Sequence, residues 1–171
     1  MSTHSVVKFL LVLAFVWCVA SALAQQPAAA NSNLTPYGPP VNLETAKKAA
    51  AAALAETRKN NWNMVVAVVD PGGNLVYYEK MDNTQLGSAK VAVNKARSAA
   101  LFKRPTKAFQ DALAGGGAGL RVLALEGAVP VEGGIPLMED GKIIGGIGLS
   151  GDTSEHDAQC AKAGADAMQK P

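Results

Sequence analysis

Hydrophobic positions recur along this chain in two periods, and the two periods divide it into helices and strands. After Asn42, the residues Ala46, Ala49, Ala50, Ala53, Leu54 and Thr57 fall on one face at helical spacing, with Lys47, Lys48, Glu56, Arg58 and Lys59 on the solvated side. Asn42 is placed to cap this helix and Asn60-Asn61 to break it. Met64 to Val69 is a run of apolar, mostly branched residues; Asp70-Pro71-Gly72-Gly73 turns the chain, and Leu75 to Lys80 returns as a second strand. The first of these strands is apolar on both faces, so the sheet should be covered on both sides. Ser88 to Phe102 predicts a second helix whose buried stripe is Ala89, Ala92, Val93, Ala96, Ala99 and Ala100. Lys95 lies near the edge of that stripe, where a lysine either snorkels to water or reaches into a pocket. Pro105 ends this stretch, and Thr106 is expected to cap a short helix to Ala114. Leu120 to Leu125 fits either a short helix or a strand. Ala128 to Val131 and Ile135 to Glu139 read as short strands flanking Gly133-Gly134.

The pattern changes again between Asp140 and Ala167. Asp140-Gly141 is a hairpin-type turn. Lys142 to Ser150 then alternates, with Ile143, Gly145, Ile147 and Leu149 on one face and Ile144, Gly146, Gly148 and Ser150 on the other. The second face is nearly bare, and glycine inside a strand means that another backbone or a ligand comes close. Ser154-x-x-Asp157 fits a capping box, followed by a slim apolar stripe of Ala158, Ala161, Ala165 and Met168. Tight hairpins and amphipathic helices at both ends imply an antiparallel sheet covered on both faces.

The first 40 residues follow neither period. Lys8, the apolar run Phe9 to Ala20 and Ala22-Leu23-Ala24 read as a signal peptide over 1–24, cleaved after Ala24. Residues 25–40 are rich in Ala, Asn and Pro and read as a flexible exported linker, with Tyr37 able to dock on the domain that fills 41–171. Periplasmic or secreted location, without stable membrane insertion after cleavage, is the expectation.

Charge and rare residues narrow the chemistry. With 16 basic and 14 acidic residues the balance gives no reason to expect a nucleic-acid partner. Of two cysteines, Cys18 lies in the leader, so Cys160 can form neither an intrachain disulfide nor a structural zinc cluster in the mature chain. Gly146-x-Gly148-x-x-Gly151 matches a dinucleotide fingerprint, but Asp152, Glu155 and Asp157 would repel a pyrophosphate at that helix start. No nucleotide is expected.

The segments VAVVDPGGNLVYYEKMD, VAVNKARSAA, PTKAF, EGGIP and GGIGLSGDTSEHDAQCAKAG, in this order, resemble the GlcG/HbpS family of haem-binding-protein-like domains over about Val41 to Ala167. The resemblance implies a three-layer α/β/α sandwich with a central antiparallel sheet, profilin-like, and a tendency to form homo-oligomers. It also implies candidate ligand-binding residues at matching positions: Asp82, Lys95, Thr106, Gly133, Gly134, Ser150 and Asp157. Lys95, Asp82 and Asp157 are expected to share a pocket beside the glycine face of the Lys142–Ser150 strand. His156 stands where glutamine is common in the family, so no role for it is inherited.

Two functional classes follow. The first is an exported protein that binds haem or a related tetrapyrrole. The sequence has no C-x-x-C-H attachment motif, so such binding is non-covalent, and an intrachain bis-histidine site is impossible in a mature chain with one histidine. Its axial ligand would come from His156, Met81 or Met138, Tyr77 or Tyr78, or the oxygen of Thr106. The second is an enzyme or accessory domain acting on a small carboxylate or carbonyl compound at a polar pocket between subunits; no catalytic residue is identified. The leader is tested directly by sequencing the mature amino terminus, which should begin at Gln25; a soluble protein still starting at Met1 would refute export.

Overall fold

A computed structural model describes residues 35–168. Helix α1 spans Leu43–Lys59, strand β1 Val65–Val69, strand β2 Leu75–Lys80, helix α2 Ser88–Leu101 and helix α3 Lys107–Ala114. A 3-10 helix at Gly117–Ala124 leads to strand β3, Gly134–Glu139, strand β4, Lys142–Ser150, and helix α4, Ser154–Asp166. The strands form one antiparallel sheet in the order β2-β1-β4-β3. The β3–β4 turn is the two-residue Asp140-Gly141 hairpin, both residues having positive φ.

The sheet has two buried faces because β1 is apolar on both. Val66 and Val68 point with Leu137, Ile147 and Leu149 into a core closed by α1 and α4, where Ala49, Ala53, Cys160 and Ala161 pack. Val65, Ala67 and Val69 face the other way onto Ala92, Ala96 and Ala100 of α2. All five β1 residues are buried, and each of the four valines is worth roughly 1.5–3 kcal/mol in removed apolar surface. The expected three-layer sandwich is therefore what the chain builds.

The bare face of β4 is filled by a helix backbone. A methyl group at Gly146 would collide with the carbonyl oxygen of Ala96, and one at Gly148 with that of Ala92. Glycine on the strand and alanine on the helix let α2 approach more closely than larger side chains would permit. At Gly146 and Gly148 it is α2, not a ligand, that lies against this face.

One expectation lies outside the described residues and four others change. Residues 1–34 lie outside the described residues, so the leader and the start of the linker do too. The end of the linker is packed: Ile143 N–H donates to Pro36 O at 2.9 Å, and Gly38 N–H to Ile143 O at 2.8 Å. Nine-residue β4 outruns five-residue β1, and this segment satisfies the backbone groups left over. Tyr37 Oη also donates to the carbonyls of Ala100 and Leu101 at the end of α2. Leu120–Leu125 belongs largely to the 3-10 helix, and Ala128–Val131 forms no strand. Thr106 makes no side-chain cap for α3, because its hydroxyl is engaged by Gly134. At α4 the cap is Thr153, not Ser154; its Oγ1 accepts from His156 N–H, which frees Asp157 for another partner.

Close approach predicts an asymmetric glycine scan. Gly148→Ala should destabilise by about 3 kcal/mol or more, since the clash is with helix backbone that cannot rotate away. Gly87→Ala, with open space at that position and a helical φ of −61°, should be neutral or stabilising by up to about 1 kcal/mol. Urea unfolding of the two variants measures the difference; equal midpoints would refute the packing account.

Candidate functional site

Five of the seven candidate ligand-binding positions meet where α2, α3, the start of β3 and the first turn of α4 converge. Lys95 extends from α2 and its Nζ lies 2.6 Å from Asp157 Oδ2, with side-chain exposures of 1% and 3%. Burial pushes the Asp157 carboxyl above the usual carboxylate range, and the Lys95 ammonium and its hydrogen bond pull it only partly back. Lys95 therefore reaches inward and does not snorkel. Gly133, at φ +116°, crosses directly over the pair: a Cβ there would come within 2.9 Å of Lys95 Nζ and 2.7 Å of Asp157 Cβ. Only a glycine backbone can pass so near in that conformation. Gly133 O then accepts from Leu149 N–H at 2.9 Å. Gly134 exchanges two bonds with fully buried Thr106, accepting from its N–H at 3.0 Å and donating to its Oγ1 at 2.9 Å.

The other two candidates go elsewhere. Ser150 Oγ donates to Ser88 Oγ at 3.0 Å, tying the end of β4 to the start of α2. Asp82 is exposed beyond β2, on an open groove of ≈ 380 Å³ with Arg58, Asn63, Glu79 and Lys80. It shares no hydrogen bond or ion pair with the Lys95–Asp157 pair, and the expected three-residue pocket is not formed. The reason is topological: β1 lies between β2 and β4, and Asp82 leaves the sheet on the far side of it.

One buried acid escaped the sequence reading. Glu132 is 7% exposed; its backbone N–H donates to Gln110 Oε1 at 2.9 Å, and Gln110 Nε2 returns a bond to its carboxylate at 3.3 Å. The signal was present, since Glu132 opens the EGGIP segment. Trp62 was also missed. Its ring stacks on His156 with centroids 3.9 Å apart and planes 14° apart. His156 Nδ1 lies 2.8 Å from Asp152 Oδ1. Asp152 is held below the usual carboxylate range by the Thr153 backbone N–H and then by His156.

The Lys95–Asp157 pair, walled by Gly133, is a structural clamp between two helices and a loop. Acid–base work would require solvent or substrate to reach it, and neither residue offers that access. Burial likewise drives the Cys160 thiol up to about 12, leaving it a protonated core side chain. Among the described residues no group of three or more His, Cys, Asp or Glu is arranged to hold a metal ion.

Removing one partner of the clamp leaves a buried unpaired charge. Lys95→Met or Asp157→Leu should each destabilise by about 3–5 kcal/mol, while the double variant recovers most of the loss. A double-mutant cycle in guanidinium checks this; additive losses would refute the coupling.

Comparison with known proteins agrees with this architecture. Residues 41–166 match the family model described as haem degrading protein HbpS-like. The chain is 39% identical over 100 residues to Protein GlcG of Escherichia coli strain K12, covering 58% of this chain and 73% of that protein. A crystal structure of a double mutant of Streptomyces reticuli HbpS aligns with TM-score 0.70 and 31% identity over 85% of this chain and 98% of the other. The crystal structure of a PduOC:heme complex aligns with TM-score 0.67 and 28% identity over 75% and 94%. By its sequence over nearly the whole described domain, and by its fold, the chain belongs to the HbpS-like family.

Proposed function

We propose that this protein is exported and binds haem, or a closely related tetrapyrrole, without a covalent link. The observation that carries the reading is its likeness to a relative crystallised with heme, over 94% of that relative's length and within a family described as haem degrading. The absence of a C-x-x-C-H segment makes the association non-covalent. The closed Lys95–Asp157 clamp directs the ligand away from the buried cluster and onto the surface.

Self-association fits the same reading. Leu120, Leu123 and Leu125 in and after the 3-10 helix are 53%, 70% and 45% exposed, and a second copy would give these side chains cover. The alternative, an enzyme acting on a small carboxylate or carbonyl compound between subunits, has less support, because Lys95 and Asp157 face each other and not an opening.

Hemin titration followed by absorption tests the proposal. The purified chain should give a saturable Soret change at one equivalent per subunit, reversed by extraction into acidified organic solvent. A linear, non-saturating response would refute it.

A further inference from the structure

Haem iron already holds four porphyrin nitrogens and takes one or two donors from a protein. A bare metal ion requires several protein donors to converge, and among the described residues no such group is present. A single oriented donor is enough for haem iron, whereas a bare ion needs several.

The structure discriminates among the side chains that could supply it. Thr106 is fully buried and its oxygen accepts the Gly134 N–H. Met81 Sδ accepts the Thr57 hydroxyl at 3.3 Å, and Tyr77 Oη donates to Glu79 at 2.6 Å. Tyr78 and Met138 reach solvent, but no side-chain hydrogen bond or ring contact among those described orients them. His156 differs on each count. Its side chain is 38% exposed, a carboxylate lies at hydrogen-bond distance from Nδ1, and a tryptophan ring fixes its plane.

We infer that His156 binds haem iron through Nε2, with Asp152 and Trp62 as its positioning residues; this rests on the haem reading above. With the Nδ1 proton donated to Asp152, the lone pair is left on Nε2 of a ring that is part-exposed. The same carboxylate–histidine arrangement orients imidazoles on protein-bound metals and raises their basicity. Trp62 adds an apolar shelf beside the ring. Arg58 and Lys59, in the last turn of the helix leading to Trp62, have side chains 59% and 74% exposed and supply cations suited to the haem propionates. Their present partners, Glu79 and Glu56, hold them in surface pairs at 3.6 Å, which are weak and exchangeable.

The buried clamp extends to this donor. Asp157 Oδ1 accepts from Asp152 N–H at 3.4 Å, while Asp157 Oδ2 is held by Lys95. Lys95 thus fixes the backbone that carries Asp152, and Asp152 fixes His156.

Hemin titration of the full chain and of His156→Ala, His156→Gln and Asp152→Asn, read by absorption and by resonance Raman of the ferrous state, tests the assignment. The wild type should show an iron–imidazole stretch. Both His156 variants should lose it and bind more weakly; the glutamine variant keeps an amide over Trp62 should the alanine variant unfold. Asp152→Asn should retain the stretch at lower frequency, with affinity reduced about tenfold. Saturable binding with the same stretch and affinity in the His156 variants would overturn the ligand while leaving the haem reading intact. An unshifted stretch in Asp152→Asn would overturn its positioning role. Absence of saturable binding by the wild type would overturn the haem reading and this inference together.

Discussion

A single buried ion pair sets the arrangement of the layers around the site. Lys95 comes from the helix on one side of the sheet, and Asp157 from the helix on the other. Their charges meet at 2.6 Å with almost no water, so either one without the other would be costly. That requirement fixes the rotation of α2 and the first turn of α4. It also demands a backbone beside the pair that carries no side chain, which is why Gly133 crosses there in a conformation few other residues adopt. The close seat of α2 on Gly146 and Gly148 brings the lysine near enough to reach.

The fold was legible in the sequence because its signals are local and redundant. Alternation in Lys142–Ser150, branched residues in Met64–Val69 and alanine stripes in two helices each point to the same sandwich. The glycine face of β4 showed that something approaches closely, but not what: Gly146 and Gly148 read alike whether a helix or a ligand fills the space. The Asn42 cap was read correctly, but the cap of the last helix was misread for a related reason. Thr153 and Ser154 are neighbouring hydroxyl residues with equal capping chemistry, and tertiary demand for the Asp157 carboxylate decides between them. The sequence allowed Tyr37 to dock, as it does, but not where, because its place depends on how far β4 outruns β1, a property of strand register.

The site was legible in part. Lys95, Thr106, Gly133, Gly134 and Asp157 assemble, yet four of them do so by bonding one another and the fifth by making room. Residues shared with a family motif can therefore mark the mechanics of a fold as readily as contact with a ligand. Asp82 was placed with the pair by sequence and Ser150 was a further candidate, but strand order separates Asp82 from the pair, and Ser150 bonds Ser88. What the motifs omit is the outward face of the same helix turn. There His156, Asp152 and Trp62 meet across a loop and a helix start nearly a hundred residues apart, a juxtaposition no local pattern reveals.

The account separates a closed clamp from the part-exposed His156 beside it, and its central claim is the proposal that the protein carries a tetrapyrrole. Native mass spectrometry and absorption of the protein purified from haem-replete cells of its own source test this most directly. The account predicts a Soret band and a bound mass released intact on denaturation, leaving the polypeptide mass unchanged. A colourless protein, or one that releases a small carboxylate in place of a tetrapyrrole, would contradict it.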